Sequence, residues 1–175
     1  MVLTGAKVYL RPIMIEDTDI VLRWRNSDAV KRYFIFREDI TYEAHLNWLR
    51  TKVDVGKVVQ FIITELETER PIGSVYLQNI NPVLKNAEYG IFIGEQDALG
   101  KGYGTEAAQL ILRYGFDALG LHKIYLRVLS DNERAIASYR HAGFVVEGLL
   151  KDEIFVDGKF CDITRMALIG GKESE

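Results

Sequence analysis

The order of strand-like and helix-like segments in this 175-residue chain predicts a mixed α/β (α+β) fold. About seven strands form a mostly antiparallel sheet, flanked by about four helices. Three β-rich runs between residues 58 and 93 follow one another without a helix, which is typical of an antiparallel meander. A glycine-rich stretch at residues 99–107 then leads into a helical run. Beyond that helix, the apolar run at residues 124–129 is typical of a central strand.

The N-terminal third predicts one strand and two helices. Residues 7–11 form a short strand, and residues 16–26 have the apolar spacing and the acidic first turn of a helix. Residues 41–51 form a second helix, which Thr41 is placed to cap. The connection at residues 27–40 is long and rich in aromatic and charged side chains, so we expect it to line a ligand groove.

The rest of the chain continues this alternation. The predicted elements are strands 58–63, 72–80 and 87–93, helix 105–118, strand 124–129, helix 132–141, and closing strands 144–148 and 154–169. Asp157 and Gly158 form the turn within the last pair of strands. Ser130 or Asp131 is available to cap the helix at 132–141, Asn132 itself is an alternative cap, and Gly143 is available to end the helix.

Composition narrows the class of protein. The net charge is −3 and no long block of one sign is present, which argues against nucleic acid or an anionic membrane as a partner. The single cysteine, Cys161, excludes an internal disulfide framework and suits a reducing compartment. No apolar run reaches the roughly 18 residues that a membrane helix needs. We therefore expect a cytoplasmic protein with one domain at residues 1–170 and a loose tail at residues 171–175.

The stretch at residues 99–107, Leu-Gly-Lys-Gly-Tyr-Gly-Thr-Glu-Ala, has the composition of an anion-binding loop. Glycine lets the backbone approach a ligand closely, and a helix start leaves N–H groups free. Together these features favour a phosphate or pyrophosphate. The spacing does not match a Walker P-loop, and Thr105 stands where a Rossmann fingerprint needs glycine. A purely structural turn is the alternative.

Two motifs give the chain a resemblance to the GNAT superfamily of acetyl-CoA-dependent N-acetyltransferases, over nearly its whole length. The signature of that superfamily is Gln or Arg, two residues, Gly, one residue, then Gly or Ala; here it falls on Leu99, Gly102 and Gly104. Further along, the family has Asn, then Ala or Ser, then Tyr and Gly-Phe. Here the run from Asn132 to Phe144 is Asn-Glu-Arg-Ala-Ile-Ala-Ser-Tyr-Arg-His-Ala-Gly-Phe. Leu99 departs from the usual Gln or Arg, which removes at most one side-chain contact.

The resemblance implies how the cofactor is held. The sheet is expected to splay at its centre, where strand 89–93 separates from strand 125–129. Strand 89–93 then contacts the pantetheine arm of acetyl-CoA through its backbone, as an added strand would. The backbone amides of residues 99–107, called here the glycine loop, are expected to hold the diphosphate of coenzyme A. The expected cofactor-binding residues are Ile91, Phe92, Ile93, Leu99, Gly100, Lys101, Gly102, Tyr103, Gly104, Thr105, Asn132 and Ala135.

Acetyl transfer from a thioester to an amine requires a proton acceptor at the amine and benefits from a proton donor at the leaving thiolate. Glu88 is the candidate acceptor, because it begins the strand that leads to the glycine loop; a solvated strand glutamate is the alternative. Glu106 and Glu43 are weaker candidates. The resemblance implies that Tyr139 is the donor, and core packing is its alternative role. No histidine pair has the spacing of metal ligands on a helix, so we expect no metal.

The amine that accepts the acetyl group is less clearly indicated by the sequence than the cofactor. Residues 22–49 are similar to the nucleotide-activated amino-sugar N-acetyltransferases, and the second half to the acetyltransferases of ribosomal-protein N-termini and of polyamines. We expect a small amine or a nucleotide-linked amino sugar, bound by Arg25, Asn26, Arg37 and Glu43. A peptide N-terminus or a polyamine is the alternative, and a homodimer remains open. A non-catalytic CoA-binding module on the same fold is an alternative of another class.

Overall fold

Eight strands form one sheet in the computed structural model, which describes residues 1–171. Their spatial order is β1-β2-β3-β4-β5-β6-β8-β7. The strands are β1 Leu3–Thr4, β2 Val8–Pro12, β3 Val59–Glu65, β4 Pro71–Asn81, β5 Asn86–Ile93, β6 Lys123–Leu129, β7 Val145–Val156 and β8 Lys159–Ile169. The α-helices are α1 Thr18–Arg25, α2 Asp28–Lys31, α3 Tyr42–Trp48, α4 Tyr103–Asp117 and α5 Glu133–His141. The mixed, mostly antiparallel fold is therefore confirmed.

Two blocks of strands make up the sheet, and one short parallel pairing joins them. The pairings within each block, β1 to β5 and β6-β8-β7, are antiparallel. Only three residue pairs connect β5 to β6, and the last of them is Glu88 with Tyr125. Beyond this pair β5 continues to Ile93 and β6 to Leu129 without pairing to each other. The sheet is thus splayed at its centre, as the resemblance implied.

Helices cover both faces of the sheet. On one face α4 packs over the central strands and buries Ile111 completely. On the other face α1 and α3 form a second, smaller core around Trp24. Because successive side chains of a strand point to opposite faces, β3 buries Phe61 and Ile63 in the first core and Ile62 in the second. This two-sided burial explains the unbroken apolar run in the sequence of β3.

Several boundaries differ from the prediction. The two-residue strand β1 and the four-residue helix α2 were missed, because neither is long enough to show a period. The helix expected at 41–51 is α3, which Thr41 caps through a hydrogen bond from the Ala44 N–H (3.1 Å), followed by a wider helical turn at Leu49–Val53. The helix expected at 105–118 begins at Tyr103 instead.

The structure decides between the candidate caps of α5. Asn132, rather than Ser130 or Asp131, accepts the hydrogen bond of the Ala135 N–H (3.2 Å) and begins the helix. The closing strands form one hairpin, β7 and β8, and β7 is continuous across the gap that was expected between residues 148 and 154.

The structure does not test the predicted tail or the predicted domain boundaries. Most of the tail expected at residues 171–175 lies outside the described residues, and the single-domain boundaries stay a prediction. Among residues 1–171 no helix is both long and apolar enough to cross a bilayer.

Candidate active site

A cleft of about 1070 Å³ opens where β5 and β6 separate. Its walls come from the segment between α1 and α3, from β5, from the glycine loop and from α5. The cleft is at the upper end of the size range of small-molecule sites, roughly 300–1,000 Å³. The connection at residues 27–40 lines it, as expected from its composition. The aromatic connection at residues 27–40 and the glycine loop, which stand out in the sequence, therefore lie around one cavity.

The glycine loop presents a row of free backbone N–H groups to this cleft. Gly100 and Gly102 have φ angles of +75° and +84°, in the left-handed region that side chains disfavour. Gly102 also begins α4. Within residues 1–171, no hydrogen-bond acceptor meets the N–H groups of residues 100–105. Free donors at the positive end of a fifteen-residue helix favour an anion such as a diphosphate, which agrees with the expectation from the sequence.

Glu106 fixes the loop from its outer side. Its carboxylate accepts hydrogen bonds from the N–H groups of Ala6 (2.7 Å), Lys7 (2.8 Å) and Val8 (2.9 Å). The Lys7 ammonium donates to the carbonyl oxygen of Lys101 (3.2 Å). Desolvation raises the pKa of Glu106, but the three N–H groups outweigh it, and the pKa is lowered overall. Glu106 therefore connects the first turn of α4 to the β1–β2 connection, and its oxygens do not face the cleft.

Glu88 lies at the point where the two blocks of the sheet part. It is 5% exposed, and its side chain is on the face of β5 that also carries Phe92 and the N-terminal helices. One carboxylate oxygen accepts from the Nε of Arg127 (2.8 Å), and the other accepts from the side-chain amide of Asn79 (2.9 Å). The hydrogen bond to Glu88 raises the pKa of Arg127. Each oxygen keeps a further lone pair for a water molecule or an ammonium group.

Tyr139 lies on the opposite face of the sheet, beside α4 and the glycine loop. Its ring packs edge to face on Tyr89 (6.0 Å between centroids) and on Phe144 (6.1 Å). Burial raises the pKa of Tyr139, so its hydroxyl keeps its proton at neutral pH. In residues 1–171 this hydroxyl has no hydrogen-bond partner, and the residue lines the cleft. Glu88 and Tyr139 thus approach the gap in the sheet from its two faces.

The half of the cleft under the N-terminal helices, called here the acceptor half, is mainly aromatic. Phe34, Trp48 and Tyr76 line it together with Arg25 and His45. The ring of Tyr76 crosses β5 at Gly90, where an added Cβ would collide with it. Burial raises the pKa of Tyr76 to about 12. Neither Tyr76 nor His45 was predicted from the sequence, because a tyrosine in a strand and a histidine in a helix are usually packing residues.

The structure brings most of the predicted site residues together. The cleft is lined by Arg25, Glu88, Ile91, Phe92, Ile93, Leu99, Gly100, Gly102, Tyr103, Gly104, Thr105, Asn132, Ala135 and Tyr139. Lys101 does not line it. The roles assigned to these residues remain predictions. In residues 1–171 no group of three potential metal ligands is found, and the expectation about metals also stays a prediction.

Three of the residues expected at the acceptor have other contacts. Both polar atoms of the Asn26 side chain bond to the backbone of Ile40 (2.8 and 2.9 Å) and fix the connection at residues 27–40. Arg37 forms an ion pair with Asp157 in the β7–β8 turn. Glu43 borders a separate, smaller depression of about 510 Å³. The structure therefore does not place these three side chains beside Arg25.

Comparison with known families agrees with this geometry. The family model described as an acetyltransferase (GNAT) domain matches residues 7–145. The chain belongs to the GNAT acetyltransferases. As a member of that family it is an N-acetyltransferase that uses acetyl-CoA as its co-substrate.

Individual relatives cover nearly the whole chain. The chain is 38% identical to the spermidine N(1)-acetyltransferase of Escherichia coli K12, over 92% of this chain and 85% of that protein. It is 36% identical to the Vibrio cholerae enzyme of the same name, over 96% of both chains.

Solved structures show the same likeness. The Vibrio cholerae spermidine N-acetyltransferase bound to CoA and spermine superposes with a TM-score of 0.87 at 27% identity, covering 94% of this chain and 96% of that one. A dodecameric structure of the Vibrio cholerae enzyme has a TM-score of 0.79 at 28% identity and covers 94% of this chain and 95% of that one.

Proposed function

We propose that the chain transfers the acetyl group of acetyl-CoA directly to a primary amine of a small molecule bound in the acceptor half of the cleft. The observation that carries this proposal is the row of six free N–H groups at residues 100–105, next to a gap in the sheet. In this proposal the N–H groups bind the diphosphate of coenzyme A, and the gap in the sheet receives its pantetheine arm. The acceptor half, on the opposite face, then holds the amine.

In the proposed reaction Glu88 accepts a proton from the acceptor ammonium, directly or through one water molecule. A free alkylammonium has a pKa of about 10.4, so a proton acceptor is needed before the nitrogen can attack. The nitrogen forms a bond to the acetyl carbon, the carbon–sulfur bond breaks, and the nitrogen loses its second proton to solvent. Tyr139, whose hydroxyl is protonated, donates a proton to the leaving thiolate and is protonated again from solvent. The products are the N-acetylated amine and coenzyme A.

A polyamine is one candidate for the acceptor. It is supported by the names of the relatives, since both the Escherichia coli and the Vibrio cholerae protein are spermidine acetyltransferases. The charge of the cleft gives this candidate little support. Glu88 is the single carboxylate residue among the described residues that line the cleft, and it is already paired with Arg127. A polycation generally requires several acidic groups nearby.

An acceptor screen tests the proposal. Release of the coenzyme A thiol is followed with spermidine, with a peptide N-terminus and with a nucleotide-linked amino sugar. Tyr139→Phe and Tyr9→Phe serve as a matched pair, because Tyr9 is a half-buried tyrosine in β2 that does not line the cleft. We expect release with at least one small-molecule amine, and a loss of turnover only in Tyr139→Phe. Binding of CoA without thiol release for any amine would instead indicate a non-catalytic module.

A further inference from the structure

Arg25 is unusual among the buried charged side chains of this protein. Asp17, Glu65 and Glu88 are also buried, and each forms an ion pair with an arginine. Arg25 is 9% exposed, and within residues 1–171 its guanidinium has neither a hydrogen bond nor an ion pair. Its guanidinium carbon instead lies 3.6 Å from the centroid of the Phe34 ring. A buried charge without a counter-charge is costly, so the site calls for an explanation.

The guanidinium of Arg25 opens onto the acceptor half of the cleft. Among the described residues, the sealed side-chain polar atoms without a partner belong to His45, Thr64 and Tyr89, and none belongs to Arg25. Arg25 lines the cleft, so its free N–H groups face the cavity rather than the protein interior. Burial lowers the pKa of Arg25, yet a guanidinium stays charged at neutral pH. The cleft therefore contains a charged guanidinium whose N–H groups have no hydrogen-bond acceptor among the described residues.

We propose that Arg25 binds an anionic oxygen group of the acceptor, with a diphosphate as the best fit. This inference rests on the proposed function and names its substrate class: an amine that also carries a phosphate group, as a nucleotide-linked amino sugar does. A planar guanidinium fits two phosphate oxygens at once. A polyamine offers no anion and would add a positive charge beside Arg25.

Binding is tested separately from turnover. Protein saturated with CoA, which fills the diphosphate site of the glycine loop, is titrated with uridine diphosphate and with glucuronate as a carboxylate probe. Arg25→Met removes the charge and keeps the packing on Phe34. Arg23→Met is the control, because Arg23 is on the same helix but is exposed and paired with Glu95 (2.6 Å). We expect Arg25→Met to weaken binding by roughly 10- to 100-fold, as for a lost charge-assisted hydrogen bond. Arg23→Met should leave it unchanged.

Measurements of turnover form the second part of the test. A nucleotide-linked amino sugar, the same sugar without its nucleotide, and spermidine are compared as acceptors. Arg25→Met should raise KM for the nucleotide-linked sugar and leave kcat and the CoA affinity unchanged. Arg25→Lys keeps the charge but not the planar guanidinium. Its KM for the nucleotide-linked sugar should lie between those of the wild type and Arg25→Met. This variant replaces Arg25→Met if Arg25→Met does not fold.

Three results would overturn the inference: neither probe binds, Arg25→Met binds uridine diphosphate like the wild type, or spermidine is the best acceptor of the wild type. An equal loss with all three acceptors would also overturn it, since that result indicates a structural role. If no amine is acetylated at all, the proposed function fails, while the titrations still decide whether Arg25 binds an anion.

Discussion

Gly104 provides a sharp test of the diphosphate site, because the fold itself does not require glycine there. It is the second residue of α4, and its φ is not in the left-handed region. A Cβ added at Gly104 would have as its nearest atoms the Cδ1 of Ile91 at 3.8 Å and the Cγ1 of Ile93 at 3.9 Å, which are ordinary contacts. Both neighbours line the cleft, so the added methyl group would point toward the bound ligand.

Opposite changes in stability and in affinity are therefore expected for Gly104→Ala. Alanine is a better helix former than glycine by up to about 1 kcal/mol, which corresponds to a rise in Tm of roughly 2–4 °C for a protein of this size. The methyl group would separate the diphosphate from the amides, and the loss of one charge-assisted hydrogen bond weakens CoA binding by roughly 10- to 100-fold. By contrast, Gly102 has φ +84°, so Gly102→Ala should lose about 1–2 kcal/mol of stability as well as affinity.

Two measurements check this prediction. Thermal unfolding without ligand gives the change in Tm, and calorimetric titration gives the CoA affinity. The control is Gly148→Ala in β7, where an added Cβ meets nothing within 4 Å and the cleft is not involved. An unchanged CoA affinity in Gly104→Ala would refute the assignment of the diphosphate to these amides. A lowered Tm would mean instead that the fold needs glycine at this position.

Three further predictions concern side chains. Tyr139→Phe should lower kcat and leave the Kd of CoA nearly unchanged, because it removes only a hydroxyl; an unaltered kcat would exclude Tyr139 as the proton donor. Glu88→Gln should shift the pH–rate profile, and a profile identical to that of the wild type would assign the proton to another group or to water. Glu106 has a lowered pKa in the folded protein, so its carboxylate stabilises the fold above the unfolded value near 4.5 and this contribution is lost as the pH falls below that value. The difference in unfolding free energy between wild type and Glu106→Gln, measured by denaturant titration, should accordingly shrink at acid pH; a constant difference would contradict the role given to the three N–H bonds.

Local signals explain what the sequence could predict. The glycine loop and the cap of α3 depend on residues within one or two turns of each other, and both are visible in a short window of sequence. The central strand β6 was equally clear, since most of its residues are apolar and Ile124, Leu126 and Val128 are buried in the core. The cap of α5 stayed undecided because Ser130, Asp131 and Asn132 are all good capping residues, and only the backbone path selects Asn132.

Long-range partners explain what it could not predict. Arg25 and Arg37 look equivalent in the sequence, yet Arg37 is paired with Asp157, which lies 120 residues away, and Arg25 is left without a partner among the described residues. Asn26 likewise serves the backbone of Ile40 rather than a ligand. Which polar side chain faces the cleft thus depends on contacts that form only after the chain has folded.

The short parallel pairing of β5 with β6 would link the lifetime of this protein to the supply of acetyl-CoA. The two strands do not pair beyond Glu88 and Tyr125, and we predict that acetyl-CoA binds to the main chain there, at a site that the unfolded chain lacks. Occupancy then raises the free energy of unfolding by mass action, by about 2.7 kcal/mol when the free ligand is at one hundred times its Kd. A cell short of acetyl-CoA would therefore hold this enzyme in its less stable form, which proteases degrade faster.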